Sequence, residues 1–341
     1  MYVYCVPAKD LTNLCSFPYV VNMAGELRKV SGDIKFLEEF ELDKREELNG
    51  LILNELYLPK ELLLEILSNL SSQDVIKCSL VCKTWFNLTR STALWKSIYF
   101  KQEQRKKVRN LPWYVFYCHL SSDYFRNVIK NGNGELHFKH WQILQNKGDK
   151  FGVEKVPTGC DLLPADIPEF HGKTSCFVTS YEYCSKYQKF DLSSKRLLSY
   201  IIQKYRPILY ASEWYTGRFD CSCSYDLLLA CERTSEKWEP KKLIKNRHSF
   251  FPANRTLPSS IGWPYQKSVS GSAGLDHTHW EKKEIFYEDY PDDLTCIIFI
   301  HGGKDAQFWK GRYGSKMAGG TLKFVFESIQ PPPDDFSAEE L

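Results

Sequence analysis

Phe308, Trp309 and Lys310 stand side by side just after the glycine-containing segment His301-Gly302-Gly303-Lys304-Asp305. Two large rings and a cation in one short loop suit recognition of a sugar, which offers C–H groups on its face and hydroxyls around its rim. Trp309 is the strongest candidate, because a Trp buries about 150–250 Å² and a Trp kept only for packing needs no cation beside it. Phe308 reads equally as contact or as core, whereas Trp141, Trp214 and Tyr225 read as core. Other residues suggest other chemistry. Asp191, Glu213 and Asp220 could in principle supply a glycosidase pair, although nothing in the sequence sets their separation. Asp276, His277 and His279 with Cys221 and Cys223 suggest a metal cluster, but neither pair has the two-residue separation of structural zinc ligands. No cysteine has the surroundings of a thioester-forming nucleophile. The expectation is no catalytic residue, no metal and no cofactor.

The elements that must carry this loop read as β structure. Cys296 to Ile300 is a buried strand leading into a turn at His301 to Asp305. Arg206 to Trp214 reads as a strand, Gly217 as a turn, and the residues up to Ala230 as the next strand. Thr321 to Ile329 alternates Leu322, Phe324 and Phe326 on one face. Leu197 to Tyr205 fits helix or strand. Several such strands with few helices predict an antiparallel sandwich. Between Ala230 and Trp280 a stretch rich in Lys, Ser, Pro and Gly reads as an extended surface loop, an insertion over about 232–279.

A different kind of block precedes these strands. Pro59 suits a first helical turn, and Leu62, Leu63, Ile66, Leu67 and Leu70 follow at helical spacing. Ser71 or Ser72 can cap a second helix with Asp74 in its first turn, and Val75, Ile76 and Cys78 to Val81 are its apolar positions. Trp85, Leu88, Leu94 and Trp95 close a third. Leu58 to Lys96 thus carries more Leu, Val and Trp than three short helices can hide, which predicts a partner.

Composition narrows the function classes. The 341 residues allow about two ordinary domains, and 45 basic against 42 acidic residues, formally +3, argue against nucleic acid or an anionic membrane as partner. The basic run Lys101 to Arg109 reads as a solvated helix face between domains. Twelve scattered cysteines fit buried thiols in a reducing compartment. No stretch approaches the roughly twenty apolar residues of a membrane helix, and the N-terminus lacks a basic leader, so a cytoplasmic chain is expected. Asn69, Asn87 and Asn254 match the glycosylation pattern, which has no meaning outside the secretory route. Residues 1–50 do not read as a domain, and Met23 is an alternative start.

Leu58-Pro59 with its leucine ladder, the run Ser79 to Lys83 followed by Trp85, and the pair Leu94-Trp95 resemble an F-box. The resemblance implies docking on a Skp-type adaptor, and through it on cullin and RING subunits of a ubiquitin ligase. The residues it assigns to that contact are Leu58, Pro59, Leu62, Ile66, Leu67, Leu80, Val81, Cys82, Trp85, Leu94 and Trp95. The ubiquitin chemistry would belong to the partners.

Five collinear segments between Arg126 and about Phe326 resemble the F-box-associated domain of the sugar-recognising F-box proteins. They begin at Arg126 (RNVIKNGNGELHFKHWQI), Gly148 (GDKFGVEKVP), Phe177 (FVTSYEYCSKYQKFDL), Arg206 (RPILYASEWYTGRFDCSCSY) and Phe299 (FIHGGKDAQFWKGRYG). That resemblance implies an α+β multidomain chain. A small α-helical F-box at 51–98 and a helical linker at 99–128 lead to an antiparallel, jelly-roll-like, galactose-binding-like β-sandwich at 129–328, with a tail at 329–341. It implies binding of the inner chitobiose of high-mannose N-glycans on misfolded glycoproteins, for ubiquitination at the cytosolic face of the endoplasmic reticulum. The contacts it implies are Tyr181, Asp220, Phe308, Trp309 and Lys310. Phe308 stands where sugar-binding members usually have Tyr, and Tyr181, which alone would read as core, stands where one of them has Phe. Asp220 and Lys310 can each hydrogen-bond a sugar hydroxyl or N-acetyl group, worth about 1.5–3 kcal/mol for a charged partner. The turn from Tyr290 lacks the glycine usual there, and a sandwich that reads a protein surface instead of a glycan is the alternative.

Overall fold

The computed structural model describes residues 19–21, 27–29, 41–53, 55–104, 110–235, 237 and 265–330. Met23, Asn254, Arg105 to Arg109 and the tail from 331 lie outside the described residues. The chain divides into two compact units. Of the described residues, one comprises those up to Ser122 with Ser194–Tyr205 and Gln330, and the other those of Asp123–Ser193 with Arg206–Ile329.

The first unit is helical. Two small hairpins, β1 (Tyr19–Val21) with β2 (Leu27–Lys29) and β3 (Ile52–Leu53) with β4 (Leu56–Tyr57), accompany seven helices among the described residues. These are α1 (Lys44–Leu48), α2 (Lys60–Leu67), α3 (Ser72–Cys78), α4 (Lys83–Leu88), α5 (Thr92–Glu103), α6 (Trp113–Ser121) and α7 (Arg196–Tyr205). Ser71 is the cap of α3: its hydroxyl oxygen accepts from the Asp74 backbone N–H at 3.2 Å. The predicted third helix is two, α4 and α5, parted by a turn over Thr89 and Arg90. Two expectations are corrected here. Residues 43–51 are part of this unit, since Trp85 Nε1 donates to the Gly50 carbonyl at 2.7 Å and Lys83 pairs with Glu46 at 2.6 Å. Gly50, at φ +85°, cannot carry a side chain there, because a Cβ would lie 2.6 Å from Cys82 Sγ and 2.7 Å from the Trp85 ring. The segment expected to link two domains is helical but is core, for every residue of α6 from Trp113 to Leu120 is buried. Trp95 packs on Trp113 and Tyr117 at centroid distances of 6.2 and 5.3 Å. Leu197 to Tyr205 resolves as helix, burying Leu198, Ile201, Ile202 and Tyr205, with the Tyr205 hydroxyl 2.6 Å from that of Tyr114.

The second unit is a sandwich of two antiparallel five-stranded sheets, ordered β11-β10-β13-β8-β5 and β12-β9-β14-β7-β6. In chain order the strands are β5 (Gln142–Asn146), β6 (Gly152–Glu154), β7 (Cys176–Val178), β8 (Cys184–Asp191) and β9 (Leu209–Thr216). They continue with β10 (Cys223–Arg233), β11 (Gln266–Ala273), β12 (Glu281–Tyr287), β13 (Leu294–Asp305) and β14 (Lys316–Phe324). Connections 147–151, 179–183, 217–222, 274–280 and 306–315 each cross from one sheet to the other, and the register sets them at one end. This is the jelly-roll pattern expected.

Two expectations fail in detail. His301 to Asp305 is the end of β13 and no turn. Its glycines serve close approach: a Cβ at Gly302 would sit 2.4 Å from the Cys184 carbonyl, and one at Gly303 2.1 Å from Ser315 Oγ. The insertion is not all surface loop, because Gln266–Ala273 pairs with β10 at eight positions. Its root at Arg233 lies one strand length, about 30 Å, from Cys223 at the end where the five connections gather.

The sandwich core holds charge. Lys186, Glu213 and His301 are each at most 1% exposed. Lys186 Nζ donates to His301 Nε2, and His301 Nδ1 donates to Glu213 Oε2. That Glu213 oxygen also accepts from the Tyr225 hydroxyl at 2.7 Å. A neutral imidazole thus bridges an ammonium and a carboxylate, while the ammonium lies 3.4 and 3.3 Å from the Trp141 and Phe177 ring centroids. Burial drives the Lys186 pKa well down and that of His301 to about 4, with Glu213 opposing both.

Candidate functional site

Loop 306–315 is folded by the residue that precedes it. The Asp305 carboxylate, buried at the end of β13, accepts the backbone N–H of Phe308 at 2.6 Å and of Trp309 at 3.2 Å. This hairpin of bonds turns the chain outward, leaving Phe308 67% and Trp309 44% exposed with Lys310 beside them. Phe308 sits at φ +62°, a conformation costly for a residue with a Cβ. Loops 147–151 and 179–183 close on the same place. Ser180 Oγ donates to the Gly311 carbonyl and accepts the Asp149 N–H, both at 2.8 Å. Tyr181 then meets Phe308 edge to face, 4.9 Å between centroids. Gly148, at φ +58°, makes room, because a Cβ there would lie 2.8 Å from Ser180 Oγ.

Asp220 comes from loop 217–222, which is tied to the aromatic loop by Ala306 N–H to the Ser222 carbonyl at 2.8 Å and Cys221 Sγ to Gln307 Oε1 at 2.9 Å. Its carboxylate is gripped by Arg218, Nε to Oδ1 at 2.9 Å and Nη2 to Oδ2 at 3.2 Å. The Arg218 hydrogen bonds hold the Asp220 pKa below the usual carboxylate range. The guanidinium carbon also lies 4.7 Å from the centroid of Tyr313, whose ring meets Trp309 edge to face at 5.9 Å. Tyr181 and Phe308 are therefore in direct contact, and Asp220 and Trp309 are joined through Arg218 and Tyr313. Sequence reasoning missed Asp305, Arg218 and Tyr313. The available signal was their offset, Arg218 two residues before Asp220 and Tyr313 four after Trp309.

The alternative chemistries are not assembled. Glu213 is locked in the core network, and Asp191 ends β8 seven residues, about 23 Å, from the strand end that carries the loops. Among the described residues no group of three or more His, Cys, Asp or Glu could hold a metal ion, although the His277 and His279 rings are 4.0 Å apart. Burial pushes the Cys160 thiol up to about 11 and Cys223 and Cys296 to about 12, the reverse of an activated nucleophile. No described helix is long and apolar enough to cross a membrane.

In the helical unit the structure sorts the apolar residues. Leu62 and Ile66, one turn apart on α2, are more than half exposed, as are Leu80 and Val81 after α3. Leu58 and Pro59 are half-buried. Leu67, Leu94 and Trp95 are at most 1% exposed and belong to the core, which removes them from any contact surface. Trp85 and Cys82, half-buried, bond to Gly50 and Asn49 in the N-terminal segment of their own unit.

The described chain thus combines a helical unit with an uncovered leucine face and a jelly-roll sandwich with an exposed aromatic loop at one end. The F-box-like family matches residues 56–101 and the F-box associated region matches residues 119–250. Mouse F-box only protein 6 is 30% identical over 280 residues, covering 81% of this chain and 85% of its own. Human F-box only protein 6 is 28% identical over 78% of this chain and 82% of its own, and bovine F-box only protein 2 is 25% identical over the same shares. The chain belongs to the F-box only proteins that carry an F-box associated region. Among solved structures, TmCBM61 in complex with beta-1,4-galactotriose aligns with 58% of this chain and 99% of its own at 16% identity, with a TM-score of 0.31.

Proposed function

We propose that this chain is the substrate-recognition subunit of an SCF-type cullin-RING ubiquitin ligase, and that its sandwich binds the inner chitobiose of high-mannose N-glycans on misfolded glycoproteins. Leu62, Ile66, Leu80 and Val81 dock on the Skp-type adaptor, with Leu58 and Pro59 at the margin of the contact. Phe308 and Trp309 take the sugar faces, Lys310 and Asp220 take hydroxyl or N-acetyl groups, and Tyr181 backs Phe308. The chain does no ubiquitin chemistry, and it acts in the cytoplasm on glycoproteins that leave the endoplasmic reticulum for degradation.

The observation that carries this reading is the loop itself. Asp305 holds two rings open to water, one in a strained conformation, beside a cation and near a fixed carboxylate. Exposed rings held at a conformational cost are the mark of a binding surface rather than of packing. A glycan array probed with the full chain tests it. High-mannose and chitobiose ligands should bind, and Trp309→Ala and Asp220→Ala should each abolish the signal; binding unchanged in both variants rejects the sugar.

A second reading keeps the ligase and replaces the glycan with a protein surface. It is favoured by Phe308, a ring without a hydroxyl, and by Phe219 and Leu275, exposed by 52% and 60% on adjoining connections. An empty array with retained adaptor binding selects it.

A further inference from the structure

We propose that Arg218 is the positioning residue of this site, tying Asp220 on loop 217–222 to Trp309 on loop 306–315 through the ring of Tyr313. The proposal rests on the glycan reading for its ligand only; the coupling of the two loops stands on geometry alone.

Arg218 uses its whole fork. Nε and Nη2 take the two Asp220 oxygens, Nη1 reaches the Thr158 carbonyl at 3.4 Å, and the flat guanidinium lies over Tyr313. Its side chain is 14% exposed although it ends in a charge. The fold reserves space for it: Gly159, at φ +73°, would place a Cβ 3.0 Å from the guanidinium carbon. The next residue along, Phe219, donates its N–H to that same Gly159 carbonyl at 3.0 Å, so loop and side chain are anchored to one point. Tyr313 in turn presents a ring perpendicular to Trp309, with an interplanar angle of 85°. The result is one continuous row, Asp220, Arg218, Tyr313, Trp309, in which a carboxylate and an indole from different loops share one support. Preorganisation of this kind lowers the ordering cost when a ligand meets both groups. Lysine cannot replace it, because an ammonium offers neither a bidentate fork nor a flat face.

The charges around the row are few. Asp220 feels Arg218 and Lys316, and Arg218 feels Asp220, Tyr313 and Glu154. Lys316 is itself held by both oxygens of Glu154, at 2.7 and 2.6 Å. With Arg218 in place Asp220 stays ionised to lower pH than an ordinary carboxylate, whereas Asp305, which holds loop 306–315 and whose pKa burial raises, titrates alike with or without Arg218.

Two measurements on the full chain decide the matter. Hydroxyl-radical footprinting read by peptide mass spectrometry reports the oxidation rate of Trp309 without any glycan. Calorimetry with N,N′-diacetylchitobiose reports affinity across pH. Arg218→Ala and Tyr313→Leu should both oxidise faster at Trp309, and Arg218→Ala should bind about tenfold or more weakly. Its residual binding should fall at a higher pH than that of the wild type, because Asp220 has lost the guanidinium that keeps it ionised. Arg218→Lys, which keeps the charge and guards against misfolding, should bind between the two. An unchanged Trp309 rate in both Arg218→Ala and Tyr313→Leu overturns the proposal. So does a pH profile in Arg218→Ala that matches the wild type. If the wild type itself binds no chitobiose, the glycan reading falls, and the footprint alone rules on the coupling.

Discussion

The helical unit leaves apolar side chains in water, and the sandwich hides charges from it. Leu62, Ile66, Leu80 and Val81 are more than half exposed while Lys186, Glu213 and His301 are at most 1% exposed. Both are expensive arrangements, and they have different remedies. Exposed leucines need a second molecule to cover them. Buried charges need partners within the fold, and Lys186, His301 and Glu213 supply one another. The contrast teaches that one unit is unfinished as a surface and the other is finished as a core.

The sharpest way to break that contrast is to open the core network. Glu213→Ala leaves Lys186 without its carboxylate and should cost about 3–5 kcal/mol in denaturant unfolding, whereas Lys186→Met with His301→Leu and Glu213→Leu together should be close to neutral. An equal loss in both would mean that shape, and not charge, governs the site. In the helical unit Trp95→Ala should cost about 3–5 kcal/mol. Ile66→Asp should leave the melting temperature nearly unchanged and abolish capture of the recombinant adaptor, because Ile66 is 53% exposed and lies outside the core.

Acid separates two buried groups of opposite sign. His301 titrates near 4 in the fold and near 6.5 when unfolded, so the unfolded chain binds the extra proton and stability falls as pH drops from about 6.5 toward 4. Asp226, whose pKa burial raises from 3.8 to about 6, does the reverse: the folded chain binds the proton, and stability rises over nearly the same window. The two offset in the wild type. Asp226→Asn should therefore lose more stability than the wild type between pH 6.5 and 4, at about 1.4 kcal/mol per unit of displacement. Parallel stability curves in urea titrations would show that Asp226 is ionised throughout. The smallest expected effect is at Lys77, whose pair with Asp74 at 2.7 Å is exposed on both sides. Lys77→Ala should move stability by no more than about 0.5 kcal/mol.

Much of the fold was legible because it is written in local periods. The leucines of α2 recur at helical spacing, the unbroken apolar run Cys296 to Ile300 marks the buried β13, and the alternation in β14 places Leu322 and Phe324 inside, as observed. The Gly302-Gly303 pair was misread because a glycine that permits a turn and one that permits close packing look alike without the neighbouring strand. The candidate loop was legible too, since two rings and a cation beside glycines already set Phe308 to Lys310 apart. The support beneath it was not. Arg218 reads as an ordinary surface arginine until Asp220, Gly159 and Tyr313 are brought around it.

What the sequence by itself determined is the family, the order of helical and β units, and the loop that displays Phe308 and Trp309. Those follow from patterns within a few residues, and short-range geometry is enough to express them. Only the tertiary structure decided which leucines face water, that α6 is core, and that the insertion springs from the end opposite the aromatic loop. It alone also paired Lys186 with His301, 115 residues apart and opposite each other in the β8–β13 register, with Glu213 reaching them from the other sheet. The physical reason is that burial and charge pairing depend on strand register and sheet facing, which join distant segments and leave no period in the chain to read.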